Sequence, residues 1–311
     1  AARTHPPHRQ AAGLNRAAMA EAAPAPQGAK VVYFVRHGLA EHNAALELRE
    51  MSDEEVLREY AERYHDSRLS DRGREEAAAL RSAVEGLSPL PQVVITSSLS
   101  RTTATAVAAF GGLGVPILAS ELWRERSGRW PCERRRTRRA LAADFPGVDY
   151  SEVPTEEDAL WGEEREGAAA ASRRAAAAVR QLLARPERVL AVVSHAGFMG
   201  MSVFNAKRNE ALSRMTPKMQ VPFKNCEMRR VELLPDAAAV SAELTLKSVL
   251  ASSAPRDPAE KRRAEELQHG NMGRLNALFS TARGEELLRA HRADFPRIFA
   301  ADDGLARASR L

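Results

Sequence analysis

The stretch KVVYFVRHGLAEHN, residues 30–43, joins a short apolar run to three residues of a different chemistry. VVYFV has the unbroken apolar pattern of a strand that is covered on both faces of a sheet. The run ends on Arg36, His37 and Gly38: a cation, an imidazole and a glycine. A strand can end on any residue, so the tripeptide alone is a weak signal. Its meaning depends on the partners that the rest of the chain supplies.

Apolar runs of strand length alternate with helix-forming segments along the chain. Further strands are predicted at 92–96, 115–119, 188–193, 227–234 and 242–250. Helices are predicted at 52–64, 69–87, 98–110 and 165–186. Ser52 and Glu55 stand at capping-box spacing, and Ser70 is placed to cap the second helix. This alternation predicts an α/β fold, a three-layer α/β/α sandwich with a mainly parallel sheet.

Composition sets broad limits on the class of protein. The 311 residues are 44% hydrophobic and 28% charged, which is typical of a soluble globular protein. No apolar run approaches the ~20 residues that span a membrane, so no membrane partner is expected. Two cysteines, Cys132 and Cys226, are too few for a disulfide framework or a four-sulfur zinc site. A reducing compartment is therefore the expectation, and with it a cytoplasmic location.

The chain divides into three predicted segments. Residues 1–29 contain one acid, Glu21, and are expected to be a disordered leader. Such an acid-poor leader also resembles an organelle transit peptide, so import stays open as an alternative, as does a true start at Met19. Residues 30–254 are predicted to form the α/β domain. Residues 255–311 contain helix and turn patterns only, which predicts a helical tail after the sheet.

Residues capable of phosphate chemistry follow several of the predicted strands. Arg36 and His37 follow the first strand, Arg101 begins the helix after the second, and His195 follows the fourth. Glu125 lies shortly after the third strand. Because the carboxyl ends of parallel strands meet at one edge of a sheet, we expect these five side chains to line one crevice.

This set of side chains suits phosphoryl transfer. A neutral imidazole can attack phosphorus and form a phosphohistidine, and guanidinium groups match the geometry of phosphate oxygens. Helix N-termini after Gly38 and Gly197 offer backbone N–H groups to the same anion. A carboxylic acid can protonate the leaving oxygen. No histidine or carboxylate cluster has the spacing of a metal site, and this chemistry requires neither metal nor cofactor.

Five motifs in the same order resemble the histidine phosphatase superfamily, in its phosphoglycerate-mutase-like branch. The resemblance covers about residues 30–235. The segments that carry it are RHGLAEHN (36–43), RLSDRGREEA (68–77), TSSLSRTTATA (96–106), RERSGRW (124–130) and VSHAGF (193–198). A closer likeness, to the plant, algal and fungal proteins of this branch, rests on residues 127–153, 157–166 and 223–233. Glu133 stands where that subgroup has aspartate.

The resemblance implies roles for individual residues. His37 is the implied nucleophile, and Glu125 the implied proton donor, with Glu121 as the weaker candidate. Arg36, Arg101 and His195 are implied to hold the phosphoryl group, and Asn43 to support it. Two further histidines are not assigned by the family: His42 is a candidate to line the pocket, and His65 is expected at the surface.

The activity that follows is hydrolysis of small soluble phosphomonoesters without a metal. Cofactor-dependent mutases of the family carry an insert after the proton donor, and this chain lacks that insert. A phosphoglycerate mutase is therefore the second hypothesis. A catalytically silent phosphate-binding scaffold is the alternative from another class. The expected partner is a small anionic phosphoester, and the sequence does not indicate an oligomeric state.

The stretch from Arg124 to Arg139 carries eight arginines and two glutamates. Its net charge of +6 exceeds the net charge of the whole chain, which is +5. The first interpretation is the solvated face of a helix spanning residues 133–145, since its arginines spread around every side. The second is attraction of an anionic substrate toward the crevice. Nucleic-acid binding is a distant third, although Trp123 and Trp130 lie nearby.

Overall fold

A computed structural model describes residues 29–44, 52, 55, 63–162, 164–204, 223–233, 240–241, 277, 281–283 and 286. Its seven strands form one sheet in the order β4-β3-β2-β5-β1-β6-β7. The strands are β1 (Lys30–Arg36), β2 (Val93–Ser97), β3 (Ile117–Ser120), β4 (Val148–Asp149), β5 (Val189–Ser194), β6 (Met228–Leu233) and β7 (Val240–Ser241). Neighbouring strands from β4 to β1 pair in parallel, and only β6 and β7 join antiparallel.

Six helices are seen in the same part of the chain. They are α1 (Glu41–Ala44), α2 (Asp71–Glu85), α3 (Ser100–Phe110), α4 (Arg138–Asp144), α5 (Ala168–Ala184) and α6 (Ala196–Phe198), the last running into a π-helical turn (Met199–Val203). Short 3-10 turns lie at Gly111–Leu113, Glu121–Trp123 and Pro131–Glu133. No helix among the described residues is long and apolar enough to cross a membrane.

Strand β1 is buried on both faces, as its unbroken apolar pattern predicts. Val31, Tyr33 and Val35 pack into one hydrophobic cluster with residues of α2 and α3. Val32 and Phe34, which point to the opposite face, pack into a second cluster with α5 and the turn after α6. Successive side chains of a strand alternate between faces, so this strand holds two helical layers to one sheet. The predicted α/β/α sandwich is confirmed.

The predicted element positions are mostly confirmed. Ser70 caps α2 by accepting from the N–H of Gly73 at 3.1 Å. The capping box is also present: Ser52 donates from its N–H to the Glu55 carboxylate at 2.8 Å, and its Oγ accepts from the Glu55 N–H at 3.3 Å. The predicted strand at 242–250 lies outside the described residues, as do most of the predicted helix at 52–64 and most of 255–311. The three segment boundaries stay predictions.

The arginine-rich stretch is not a solvated helix, so that prediction is wrong. Helix α4 begins only at Arg138, and of the eight arginines only Arg139 is exposed. Arg124 is buried and makes a bidentate pair with Asp158, both contacts 2.6 Å long. Arg135 is buried too, and donates to Glu121 at 2.7 Å and to several carbonyl oxygens. Arg124 and Arg135 can be buried because carboxylates of the same part of the chain, Glu121 and Asp158, pair with them.

Candidate active site

Two histidines face each other where β1 and β5 end. Arg36, the last residue of β1, is in register with Ser194, the last of β5. The next residues extend this pairing, because the N–H of His37 donates to the carbonyl of Ser194 at 3.1 Å. The ring centroids of His37 and His195 are consequently 5.0 Å apart. Parallel strand ends thus bring residues 158 positions apart into one crevice, as predicted.

The His37 ring is held in one tautomer. Its Nδ1 lies 2.6 Å from the carbonyl oxygen of Gly38, which can only accept, so Nδ1 carries the proton. Burial, together with the nearby charges of Arg101 and Arg36, holds the pKa of His37 well below its ordinary value. The imidazole is therefore neutral at physiological pH, and its Nε2 keeps a free electron pair. A ring in this state can act as a nucleophile.

Two glycines allow the loop after His37 to approach α2 closely. A Cβ on Gly38 would lie 2.5 Å from the carbonyl oxygen of Gly73, and a Cβ on Gly73 only 2.0 Å from that of Leu39. Both distances are shorter than side-chain carbons tolerate. The N–H of Gly38 donates to Thr105 Oγ1 at 3.1 Å, which ties the loop to α3 as well. The glycines of the two motifs are therefore required by contact between two backbones.

His195 is fully buried, and one ring nitrogen has a fixed partner. Its Nε2 lies 2.9 Å from Ser97 Oγ at the end of β2. Its Nδ1 is buried and has no hydrogen-bond partner among the described residues. Burial and then Arg101 hold the pKa of His195 well below its ordinary value, so the ring is neutral at physiological pH. An anion beside Nδ1 would favour protonation and turn it into a donor.

Two arginines of the crevice are anchored at one end of the guanidinium group. Arg36 Nη1 donates to the carbonyl of Phe223 at 2.9 Å, and Arg101 Nη1 to that of Cys132 at 2.7 Å. The Nε of each is buried without a hydrogen-bond partner in the described part of the chain. Burial lowers the pKa of Arg36, and the nearby Glu125 partly offsets this effect. The charges of Arg101 and Glu125 therefore both act on Arg36.

The two candidate acids have different surroundings. The carboxylate of Glu125 accepts from the N–H of Arg126 at 2.9 Å and from that of Gly197 at 3.1 Å, which places it beside the residues that follow His195. Glu121 instead pairs with Arg124 at 3.1 Å and with Arg135 at 2.7 Å. Glu121 is thus neither facing water nor free to donate a proton, and Glu125 is the better candidate.

The remaining candidate residues lie at different depths. Asn43 is half-buried in α1, five residues beyond Gly38. His42 is buried, its Nδ1 has no hydrogen-bond partner within the described ranges, and its pKa is held well below the ordinary value by burial, Arg101 and Arg36. His42 therefore lies close to the crevice. His65, expected at the surface, is half-buried, and burial lowers its pKa.

Two polar residues near the crevice were not identified from the sequence. Asn225 donates from Nδ2 to the carbonyl of His37 at 3.1 Å, and so supports the nucleophile from a segment 188 positions away. The Glu133 carboxyl accepts from Arg165 at 2.8 Å, while its Oε2 is buried with no hydrogen-bond partner among described residues. Burial raises the pKa of Glu133 to about 8. The sequence signal for Glu133 is its place in the segment that resembles the subgroup, where it stands in place of aspartate.

The described residues contain no cluster of three or more histidine, cysteine or carboxylate side chains placed to hold a metal ion. The crevice combines a neutral histidine, two partly anchored arginines, a second histidine and a carboxylate. This combination is typical of the class of proteins that bind or transfer phosphoryl groups with histidine and arginine side chains.

The family follows from comparison with known sequences. The profile of the Histidine phosphatase superfamily (branch 1) matches residues 32–243, more than half of the chain. The chain belongs to this family, and the predicted resemblance is confirmed.

The chain is also similar to individual known proteins. Phosphoglycerate mutase-like protein 1 of Arabidopsis thaliana is 30% identical over 237 residues, which cover 66% of this chain and 81% of the relative. A probable phosphatase of Schizosaccharomyces pombe is 27% identical over 175 residues, 53% and 74% of the two chains. A solved mycobacterial glucosyl-3-phosphoglycerate phosphatase with inorganic phosphate is 20% identical, with a TM-score of 0.45 over 72% of this chain and 100% of that one.

Proposed function

We propose that this protein hydrolyses small phosphomonoesters through a phosphohistidine at His37, without a metal. The observation that carries the proposal is a set of three buried nitrogen atoms on residues that act on His37 by charge or ring contact: Arg36 Nε, Arg101 Nε and His195 Nδ1. None of the three has a hydrogen-bond partner among the described residues. Unsatisfied buried polar groups cost free energy, so a ligand that supplies their missing acceptors is bound favourably. A phosphoryl group has oxygens to satisfy all three.

The first half of the reaction transfers the phosphoryl group to the protein. Nε2 of His37 attacks phosphorus, a P–N bond forms, and the P–O bond to the leaving group breaks. Glu125, entering as a carboxylic acid, gives its proton to the leaving oxygen. Arg36 and Arg101 hold the equatorial oxygens, on which the charge of the transition state accumulates. Protonated His195 adds a further donor once the anion is bound.

The second half releases phosphate. Glu125, now a carboxylate, takes a proton from a water molecule as that water attacks phosphorus. The P–N bond breaks, inorganic phosphate leaves, and His37 returns to its neutral form with Nδ1 bonded to Gly38. The two guanidinium groups supply positive charge that a metal would otherwise bring, so excess chelator is expected to leave the rate unchanged.

The covalent intermediate gives the direct test. Purified protein is screened against phosphorylated metabolites, and the best substrate is then used with labelled phosphate and a rapid quench. Label is expected on His37, labile to acid and stable to base. His37→Ala is expected to lose both label and turnover while keeping its circular dichroism spectrum. Label on serine, or label retained by His37→Ala, would contradict the proposal.

A phosphoglycerate mutase is the second candidate, because the Arabidopsis relatives are named as phosphoglycerate mutase-like. The two activities are separated with 3-phosphoglycerate and a bisphosphoglycerate primer. A phosphatase releases free phosphate from its substrate and isomerises slowly or not at all. Rapid isomerisation with little free phosphate would favour the mutase. No turnover and no label with any ester would leave the phosphate-binding scaffold. The cytoplasmic location and the exclusion of nucleic acid stay predictions.

A further inference from the structure

Arg174, on the inner side of α5, contacts the segment that carries Glu125. Its Nη1 donates to the carbonyl oxygens of Leu122 and Arg124, each at 2.9 Å. Its Nη2 donates to the carbonyl of Glu125 itself at 3.2 Å. Three carbonyl groups of the segment are therefore held by one guanidinium group. Neither the sequence motifs nor the family resemblance gave this residue a role.

The guanidinium group of Arg174 is fully used. Besides the three carbonyl groups it binds the carboxylate of Glu166, from Nε at 2.9 Å and from Nη2 by a short contact. Arginine has five N–H donors in a fixed planar arrangement, and each has an acceptor here. Lysine has the same charge but three donors at one point, so it cannot reproduce this pattern.

The face of the same group contacts the segment that follows His195. The guanidinium carbon lies 3.9 Å from the centre of the Phe198 ring, a cation–π contact. Gly197, one residue earlier, donates its N–H to the Glu125 carboxylate at 3.1 Å. A Cβ on Gly197 would lie only 2.6 Å from that carboxylate, so the fit is close. The edge of Arg174 thus holds the Glu125 backbone, and its face holds the segment that Glu125 reaches.

We propose that Arg174 is a positioning residue for the general acid: it fixes Glu125 against the backbone that follows His195. This inference rests on the proposed function, since it takes Glu125 to be the proton donor. Loss of the five-donor arrangement lets the Glu125 segment move relative to the phosphoryl site. Proton delivery to the leaving oxygen suffers most, because donor geometry limits this step. The nucleophile and the two phosphate-binding arginines keep their own anchors.

The test compares Arg174→Lys with wild type on an alkyl phosphate and on p-nitrophenyl phosphate. We expect kcat/KM to fall about 10- to 100-fold on the alkyl ester, within the range that a positioned acid supplies, and less than about 3-fold on the nitrophenyl ester. The leaving group of the latter hardly needs a proton. Arg173→Lys, one residue away and exposed, is the matched control and is expected to equal wild type. Glu166→Gln, which weakens the same arrangement, is expected to show a smaller loss of the same kind.

A double variant links the two residues. Arg174→Lys combined with Glu125→Gln is expected to lose no more alkyl-phosphate activity than Glu125→Gln alone, because both remove the same proton transfer. Equal losses on both esters in Arg174→Lys and in Glu166→Gln, or additive losses in the double variant, would overturn the inference. If Arg174→Lys does not fold, Glu166→Gln decides between these outcomes.

Failure of the proposed function gives a different pattern. Equal losses on both esters in Glu125→Gln alone would reject Glu125 as the acid and this inference with it. A selective loss in Glu125→Gln without one in the Arg174 and Glu166 variants would reject only the positioning role.

Discussion

The two carboxylates beside the crevice differ in what they are free to do. Among the described residues Glu125 accepts from two backbone N–H groups, whereas Glu121 is fixed by two buried arginines. Glu125→Gln is therefore expected to slow hydrolysis of alkyl phosphates about 100- to 10,000-fold, and that of p-nitrophenyl phosphate much less. Steady-state kinetics against leaving-group pKa measure the contrast.

Glu121→Gln is the companion variant. It breaks buried ion pairs, so it is expected to lower the melting temperature and to reduce both activities by similar factors. If instead the loss in Glu121→Gln grew with leaving-group pKa and that in Glu125→Gln did not, the two assignments would have to be exchanged.

Glu133 makes stability depend on pH. Its pKa rises from 4.5 to about 8 on folding, so between these values the folded state holds a proton that the unfolded state releases. Stability therefore falls as pH rises through this window, by on the order of a few kcal/mol. Glu133→Gln removes this dependence. Urea unfolding at pH 5 and pH 8.5 is expected to show the variant gaining on wild type at the higher pH, and a constant difference would contradict this.

At the scale of elements, the loop after β1 and the start of α2 are joined backbone to backbone. Gly73→Ala would place a Cβ 2.0 Å from the carbonyl oxygen of Leu39, which neither backbone can avoid without shifting. We expect a loss of about 1–3 kcal/mol or more in unfolding free energy, together with reduced turnover. Calorimetry and kinetics measure the two effects.

Gly147→Ala serves as the matched control, because no described atom beyond its own chain neighbours lies within 4 Å of its added Cβ. It is expected to change the melting temperature little. Comparable losses in the two variants would show that the effect comes from general backbone stiffness and not from this contact.

The strand ends were the part of the site that the sequence could predict. An apolar run that stops at Arg36 and His37 carries its own signal, and parallel pairing then implies where His195 lies. The arginine stretch could not be read in this way. Whether Arg124 faces water depends on Asp158, 34 positions further on, and no local pattern records that pair. Asn225 could not be identified from the sequence for the same reason, because its contact with His37 joins positions 188 apart.

At the scale of the whole molecule, three buried histidines make the folded state less stable in acid. The pKa values of His37, His42 and His195 are all held well below the ordinary value of about 6.5. Below pH 6.5 the unfolded chain therefore binds more protons than the folded one, and stability is lost as pH falls. Glu133 acts in the opposite sense over this range, but three histidines outweigh one carboxyl, so thermal melts at pH 7 and pH 5 are expected to show a net loss.

Inorganic phosphate provides the check on its origin. An anion in the crevice favours the protonated rings, so phosphate is expected to raise the melting temperature at pH 5 more than chloride of equal ionic strength. Equal effects of the two salts would place the acid sensitivity elsewhere in the molecule.

Arg36 Nε, Arg101 Nε and His195 Nδ1 have no hydrogen-bond partner among the described residues, and they can donate to a free phosphate as well as to an esterified one. If the protein is the phosphatase proposed above, the product of each cycle competes with the next substrate for these nitrogens. The working rate of such a catalyst depends on how quickly its surroundings remove phosphate. A low phosphate concentration would relieve this product inhibition without any regulatory partner.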